Sequence, residues 1–528
     1  MNRTTLSLIA AATALAAVTG FASLSAPADA DATAAGTVAR LPVERTSQLC
    51  PAPSVSDVAE TTYTSVTPTG KGGADSEPAA DAGGSAELRE STVTLAEPGG
   101  TDDDKDDKKE DDKKEEEKQD DAAKGSASDG KPFVTLKEPG TPVSAESSGA
   151  NSPALVGTAT GRLAPGWTTQ QTTTVSVGGA RGLLGMTCTA PDTDFWFPGA
   201  STERSRQDYV HLTNPDDTVA IADIELYGPD GALKSETGEG IPVPARSSVP
   251  VLLSTLTGEA APNVTVHVST RAGRVGAAVR AADEAGGSDW LTASGTPAGS
   301  VVLPGIPADA TDVRLVVLAT GSADADLKVQ LATPDGTITP AGHESLHVKS
   351  QMTAALELGD ITKGEPGSLV LTPSGSAAPV VAALRVVRGK GEKREIAFIP
   401  ATAPIASRAT VADNRAKGST LSLTAPGAAA KVKVTSSPGT EGGEATVETY
   451  DVKARSTLAV TPKAPAGLKG AYALTVEPES GGPVHAARTL ALPEDGIAMF
   501  TVQTLPDDRG TVSVPRAEED LSVLDNGK

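Results

Sequence analysis

Short phrases return along this chain at intervals of about 105 residues, and that recurrence limits the folds open to it more than any other feature. Tyr227-Gly228-Pro229-Asp230-Gly231 comes back as Ala332-Thr333-Pro334-Asp335-Gly336. Pro-Asp-Gly sets a tight turn, because proline fixes its own φ and glycine takes the conformation needed to leave it. Ahead of each turn apolar residues alternate with polar ones, as Ile224 and Leu226 in one copy and Leu327, Val329 and Leu331 in the next. That period of two belongs to a strand with one buried face. Val243-Pro244-Ala245-Arg246-Ser247 is answered by Val348-Lys349-Ser350 and by Val452-Lys453-Ala454-Arg455-Ser456. Val275-Gly276-Ala277-Ala278-Val279-Arg280 is answered by Val380-Val381-Ala382-Ala383-Leu384-Arg385. The third copy, Val484-His485-Ala486-Ala487-Arg488, is one residue shorter before its arginine. A unit of this length is too long for a solenoid repeat and large enough to own a core. About seven turn-bounded strands per unit fit an immunoglobulin-like sandwich.

Composition agrees. With 54 Gly, 39 Pro and only 3% aromatic residues, cores must be built from Val, Leu, Ile and Ala in short segments. The formal charge is −23 and Arg and Lys form no basic cluster, which argues against nucleic acid and against anionic membrane surfaces. The N-terminus carries an address: Met1-Asn2-Arg3, then an apolar run from Leu6 to Val18, then Ala28-Asp29-Ala30. This reads as a secretory signal cleaved near Ala30. The competing reading is an uncleaved anchor over Thr4–Ala22, the one route by which the chain would touch a membrane. In an exported chain the two cysteines, Cys50 and Cys188, are expected to form a disulfide.

Between Asp102 and Asp121 stand nine Asp, four Glu and six Lys with no apolar residue, so this run cannot offset its ordering entropy. The interleaved lysines favour a solvated spacer over a cation site. It is flanked by near-duplicates, Val93-Thr94-Leu95-Ala96-Glu97-Pro98-Gly99 and Val134-Thr135-Leu136-Lys137-Glu138-Pro139-Gly140, read as strands, or as one strand duplicated, on either side of an insertion. The expected organisation is all-β: a signal peptide over 1–30, then a small β-rich N-terminal domain over 31–194. That domain carries disordered insertions at 70–84 and 99–130. Tandem immunoglobulin-like β-sandwiches follow over 195–298, 299–404 and 405–515, and a disordered tail over 516–528. Cys50 and Cys188 would close the N-terminal domain around its insertion.

The stretch Thr187-Cys188-Thr189-Ala190-Pro191-Asp192-Thr193-Asp194-Phe195-Trp196-Phe197-Pro198-Gly199 has its own signature. Followed by Leu212-Thr213-Asn214-Pro215 and the Tyr227 turn, it resembles an uncharacterised family of exported actinobacterial proteins known only as a domain of unknown function. The resemblance runs from roughly Arg40 to the C-terminus, and its specific part is the stretch from Cys188 to Trp196. It implies export and a β-rich fold, and it lends no catalytic residue.

One motif points elsewhere. His343-Glu344-Ser345-Leu346-His347 satisfies HExxH, which on a helix places two imidazoles on one face of a zinc site. Here Pro340 and Gly342 precede it and an alternating strand follows at Val348. The repeat superposes it on Gly238-Glu239-Gly240-Ile241-Pro242, a sequence for extended chain. In a strand the two histidines lie about 13 Å apart at Cα, too far for one tetrahedral zinc. His211, His267 and His485 read as strand residues, and Asp192 and Asp194 as flanks of a junction whose Phe195-Trp196-Phe197 cluster packs into the sandwich that follows. Asn263-Val264-Thr265 matches a glycosylation sequon and reads simply as a strand. No GxSxG elbow or phosphate-binding glycine loop occurs. The expectation is a non-enzymatic, secreted, envelope-associated interaction or adhesion module with no cofactor or metal, binding an envelope protein or glycan. A passive structural spacer and a hydrolase with its site in the N-terminal domain are the alternatives.

Overall fold

The structure, a computed structural model, describes residues 39–69, 83–93, 131–235 and 237–514. The expected signal at 1–30, the acidic insertion at 99–130, nearly all of 70–84 and the tail at 516–528 lie outside the described residues. The described chain is almost wholly β, relieved by short 3-10 turns at Gly161–Leu163, Leu253–Thr255 and Gly391–Lys393. No helix among the described residues is long and apolar enough to cross a membrane. Ala39–Pro42 and Thr511–Val514 pair as a two-stranded sheet. The remaining strands belong to one unit, Pro42–Thr511.

Four sandwiches make up that unit, and one strand order serves all four. In the second sandwich, the strands in chain order are Asp194–Ala200, Tyr209–Thr213, Ala220–Gly228, Ile241–Val243, Ser247–Leu252, Val264–Ala272, Gly276–Asp283 and Gly287–Leu291. A short hairpin strand, Gly231–Ala232, follows the third. One sheet orders them first, sixth, third, fourth, and the other fifth, second, seventh, eighth. The third sandwich (301–400) and the fourth (409–505) repeat this order with the expected offset, the fourth adding an edge strand at Ala466–Lys469.

The first sandwich is the departure from the sequence reading, which began the repeat at Phe195. Its strands Arg45–Cys50, Ala59–Val66, Ala86–Val93, Val134–Leu136, Val143–Ser148, Ala154–Thr160, Thr168–Val175 and Gly182–Thr187 take the same two orders. The N-terminal β-rich region is thus a fourth copy of the sandwich. The acidic insertion falls between its third and fourth strands, where the other copies carry the hairpin strand. The near-duplicate phrases are not equivalent strands: Val93 ends the third strand, Val134–Leu136 is the fourth, and 94–99 lies outside the described residues. A one-to-one offset is lost here because inserted chain breaks the period, and because this copy has neither Pro-Asp-Gly nor Ala-Ala-Arg.

Alternation builds each core. Along Ala325–Thr333, Leu327, Val329 and Leu331 are buried while Asp326 and Lys328 are exposed. In the second sandwich, Phe195, Phe197, Ile224, Leu226 and Val266 of one sheet meet Val210, Leu212, Val249 and Val279 of the other. Burying each such side chain contributes roughly 1.5–3 kcal/mol. The seventh strands lose the alternation because both faces are covered. Ala382, Leu384 and Val386 enter the core of the third sandwich, while Ala383 and Val387 join the core of the second. At the turn into the fifth strand, Arg246, Gln351 and Arg455 all take left-handed φ (51°, 59° and 54°), so the repeat extends to an unfavourable backbone conformation.

Junctions close on themselves. The eighth strands Gly182–Thr187, Gly287–Leu291, Glu395–Pro400 and Phe500–Leu505 each pack on the next, and the fourth packs back on the first. First strands pack on the following sandwich's seventh strand in the same cycle, with Ala409–Asn414 returning to Thr168–Val175. Gly185 permits one close approach, since a Cβ there would stand 2.6 Å from Thr501 Cγ2. Beside it the buried Asp289 accepts the Gly185 N–H (3.0 Å) and pairs with the Thr501 hydroxyl (3.0 Å), so one carboxyl ties three sandwiches. Burial raises its pKa well above the ordinary carboxyl range. First and second sandwiches share a further link: Ser247 and Ser248 pair in parallel with Thr92 and Val93, fusing their sheets.

Candidate functional site

The disulfide expected from the sequence is present. Cys50 ends the first strand and Cys188 follows the eighth, with Cα atoms 4.6 Å apart at a sequence separation of 138. It joins the two ends of the first sandwich next to the chain's passage into the second, where Leu49 and Thr189 bond to each other through their backbones.

The HExxH segment is extended. Ser345–Val348 is a strand in register with Ala325–Lys328, and His347 bonds Asp326 through Nδ1 at 2.8 Å, on the surface. Among the described residues no group of three or more His, Cys, Asp or Glu is placed to hold a metal. Asp192 makes a strand bridge with Val275. Phe195 and Phe197 enter the core as expected, but Trp196 faces outward from it. Its ring stacks on His267 at 3.8 Å and packs with Tyr227, Leu318 and Val381, the last two from the third sandwich. His267 is held by Glu225 (2.8 Å), with Asp194 at 3.4 Å. Asn263 accepts a bond from Arg314, so the sequon residue is engaged within the fold.

The residues with the most unusual surroundings were visible in the sequence only as repeat markers. Arg280 and Arg385 stand at matching places on seventh strands, opposite Trp290 and Phe398 of the eighth. Both turn away from their own core toward the preceding sandwich. Arg488, in the copy that is one residue shorter, lands on the opposite face, as a period of two demands. It is fully buried beside Asp413 and Tyr472, and burial lowers its pKa to about 10.

At the junction of second and third sandwiches, Arg385 meets a carboxylate: its Nη2 lies 2.5 Å from Asp283 Oδ2, at the end of the second sandwich's seventh strand. Close by, Arg206 and Asp208 form a buried pair at 2.7 Å, with the Arg206 guanidinium 5.9 Å from the Phe398 ring centroid. At the junction of first and second sandwiches the matching arginine has no such partner. Val175 occupies the first sandwich's corresponding strand end, and the hairpin after it, 176–181, contains no Asp or Glu. Arg280 is 8% exposed and makes no hydrogen bond or ion pair with any described residue. Its contact is the face of Tyr209, 5.3 Å from guanidinium carbon to centroid. Burial lowers its pKa from the ordinary arginine value.

In front of Arg280 is a cavity of about 270 Å³. Val55, Ala180, Leu184 and Ala282 give it apolar wall, and Gln207, Ser288 and Glu284 are its other notable lining groups. The Ser288 hydroxyl is buried without a partner. Behind it Trp290 packs with Leu184, Met186 and Ala278, and meets the buried His211 edge to face at 5.3 Å. His211 has no partner at either nitrogen, and burial, aided by the Arg280 charge, drives its pKa well below the usual imidazole value. The arrangement is therefore an open, partly apolar cleft whose buried arginine forms no ion pair, with a buried imidazole packed behind it, a combination suited to binding.

Among curated proteins and among solved structures nothing matches this chain. A family model does match, over residues 143–463, from the fifth strand of the first sandwich to just past the fifth strand of the fourth. That span is narrower than the resemblance read from the sequence, and it takes in Arg280, Arg385 and the Cys188-to-Trp196 stretch. Covering more than half of the residues, the match shows that the chain belongs to a family of unknown function, DUF5719.

Proposed function

We propose that this chain is an exported, non-catalytic binding module of the cell envelope, in which tandem immunoglobulin-like sandwiches form a rigid frame and the Arg280 cavity is the point of recognition. The observation that carries this reading is the mismatch between two equivalent junctions: Arg385 has its carboxylate and Arg280 faces a cavity. A buried guanidinium without an ion-pair partner is the surrounding expected of a group that awaits an anionic ligand. Export is supported by the apolar leader and by the disulfide. An unknown envelope protein or glycan remains the partner of choice, and actinobacterial envelopes are the setting that the sequence resemblance favours.

A passive spacer would gain reach from sandwiches strung end to end, whereas junctions that close on themselves spend four domains on rigidity. The test is fractionation followed by capture. Disulfide-bonded full-length protein recovered outside the cytoplasm, and retaining a defined wall component, supports the module. Recovery with free thiols inside the cell, or export with no retained component, overturns it, the second outcome in favour of the spacer.

A further inference from the structure

The geometry points to a ligand class for this cavity: a carboxylate on a short apolar body, its oxygens bound by the Arg280 guanidinium. The inference rests on the proposal that the cavity is a recognition site and adds what it recognises. The repeat supplies the argument. Where two sandwiches meet with an arginine at this position, Asp283 delivers a carboxylate to Arg385 at 2.5 Å. At the first junction Val175 and a six-residue hairpin without acids replace the aspartate-bearing end, and the space in front of Arg280 is open at about 270 Å³. A planar guanidinium matches a carboxylate in a forked pair, stronger in a low-dielectric site than in water. Ser288 lines the same space, with its hydroxyl buried beside it and without a partner.

The remaining walls narrow the choice. Val55, Ala180, Leu184 and Ala282 suit a body of a few carbons. Arg280 is the one cation on the lining, and the exposed Glu284 forms no pair with it, so the site offers a single positive charge, suited to a monoanion more than to a dianion such as phosphate. Nothing in the lining offers an aromatic platform for a sugar ring. The same chemistry has two sources, a free short-chain acid or the C-terminal residue of a peptide, and the assay separates them.

Full-length, disulfide-bonded protein is titrated calorimetrically with isovalerate, N-acetylalanine, N-acetylalanine amide and inorganic phosphate, with intrinsic tryptophan fluorescence, to which Trp290 contributes, as a second readout. Saturable one-to-one binding of an acid, with the amide and phosphate at least about tenfold weaker, is the expected result for loss of one forked charge-assisted pair. Preference for N-acetylalanine identifies a peptide terminus, and preference for isovalerate a free acid. Arg280→Met should abolish acid binding and Arg280→Lys should weaken it, each checked for an unchanged unfolding transition; should Arg280→Met fail to fold, the Lys variant carries the test. Equal binding of acid and amide, acid binding that survives Arg280→Met, or no saturable binding by either acid overturns the inference. If a wall component is still captured by Arg280→Met protein, the binding-module reading stands while the carboxylate assignment falls.

Discussion

Arg280 and Arg385 are one position of one repeat met in two circumstances. Each sits on a seventh strand, faces the preceding sandwich and has an aromatic residue of the eighth strand opposite it. At the later junction the preceding sandwich ends its seventh strand in Asp283, and the two charges neutralise each other. At the earlier one it ends in Val175, and a cavity remains. A repeat keeps backbone geometry while its side chains diverge, so an unmatched residue at a matched position is more informative than a charge on a unique fold. The comparison separates a junction whose arginine is neutralised within the fold from one whose arginine faces open space.

The largest effect should come from the covalent feature peculiar to the first sandwich. Opening Cys50–Cys188, by the double Cys→Ser variant, removes a cross-link over 138 residues and should cost up to about 4–5 kcal/mol in denaturant unfolding on the chain-entropy model. Limited proteolysis should show the Arg280 junction opening before the Arg385 junction. Equal loosening of both would mean that the bridge stabilises the ring as a whole.

Next comes the direct contrast. Arg385→Met leaves the half-buried Asp283 without its cation and should cost about 2 kcal/mol, the scale of a lost charge-assisted hydrogen bond. Arg280→Met strands no carboxylate and should lie within about 1 kcal/mol of the parent, on either side. Equal losses at the two positions in matched urea titrations would erase the distinction drawn between the junctions.

Protonation gives a smaller effect, opposite in sign on the two sides. His485, buried and bonded to the Thr402 carbonyl, has a pKa lowered to about 4, chiefly by burial. The unfolded chain takes up this proton first, so the contribution is complete above about pH 6.5 and is lost as pH falls toward 4. Glu395 is buried beside Arg181, and its pKa is raised to about 7 because desolvation outweighs the 2.8 Å ion pair. Its contribution is complete below about pH 4.5 and is lost as pH rises through 7. Glu395→Gln should therefore flatten the decline in unfolding temperature between pH 5 and 8, and His485→Gln the decline below 6.5. At the Arg280 junction, Arg280→Met should raise the His211 pKa, read by NMR titration of the imidazole signals, because one of its two depressing causes is gone. No movement of that signal would separate His211 from the arginine.

The smallest effect marks the baseline. His347→Ala removes an exposed pair with Asp326 and should change stability by less than about 0.5 kcal/mol, with or without added zinc. A stoichiometric zinc-dependent rise in unfolding temperature that His347→Ala abolishes would reopen the metal reading.

Three features could be read in advance because each is local or covalent. Alternation at Leu327, Val329 and Leu331 follows from the two-residue period of a pleated strand, and Pro-Asp-Gly at 229–231 from turn sterics. The pairing of Cys50 with Cys188 could be anticipated because the chain has two thiols and no other cysteine to compete for either. The outward face of Trp196 was within reach of the same rule, since its neighbours Phe195 and Phe197 had already claimed the core.

Tertiary structure alone decided the rest. The fourth copy of the sandwich was hidden because strand order lies in hydrogen-bond partners distant in sequence, and inserted chain before Ala86 and before Val134 erases the offset that would betray it. Whether an arginine on a seventh strand is neutralised depends on what the preceding sandwich places against it, and Asp283 lies 102 residues from Arg385 in sequence. The sequence by itself determined that Ala-Ala-Val-Arg and Ala-Ala-Leu-Arg recur on equivalent strands. Only the packing of one sandwich on the next decided that the second arginine is spent on an aspartate and the first is left facing a cavity, because charge compensation is a property of neighbours in space.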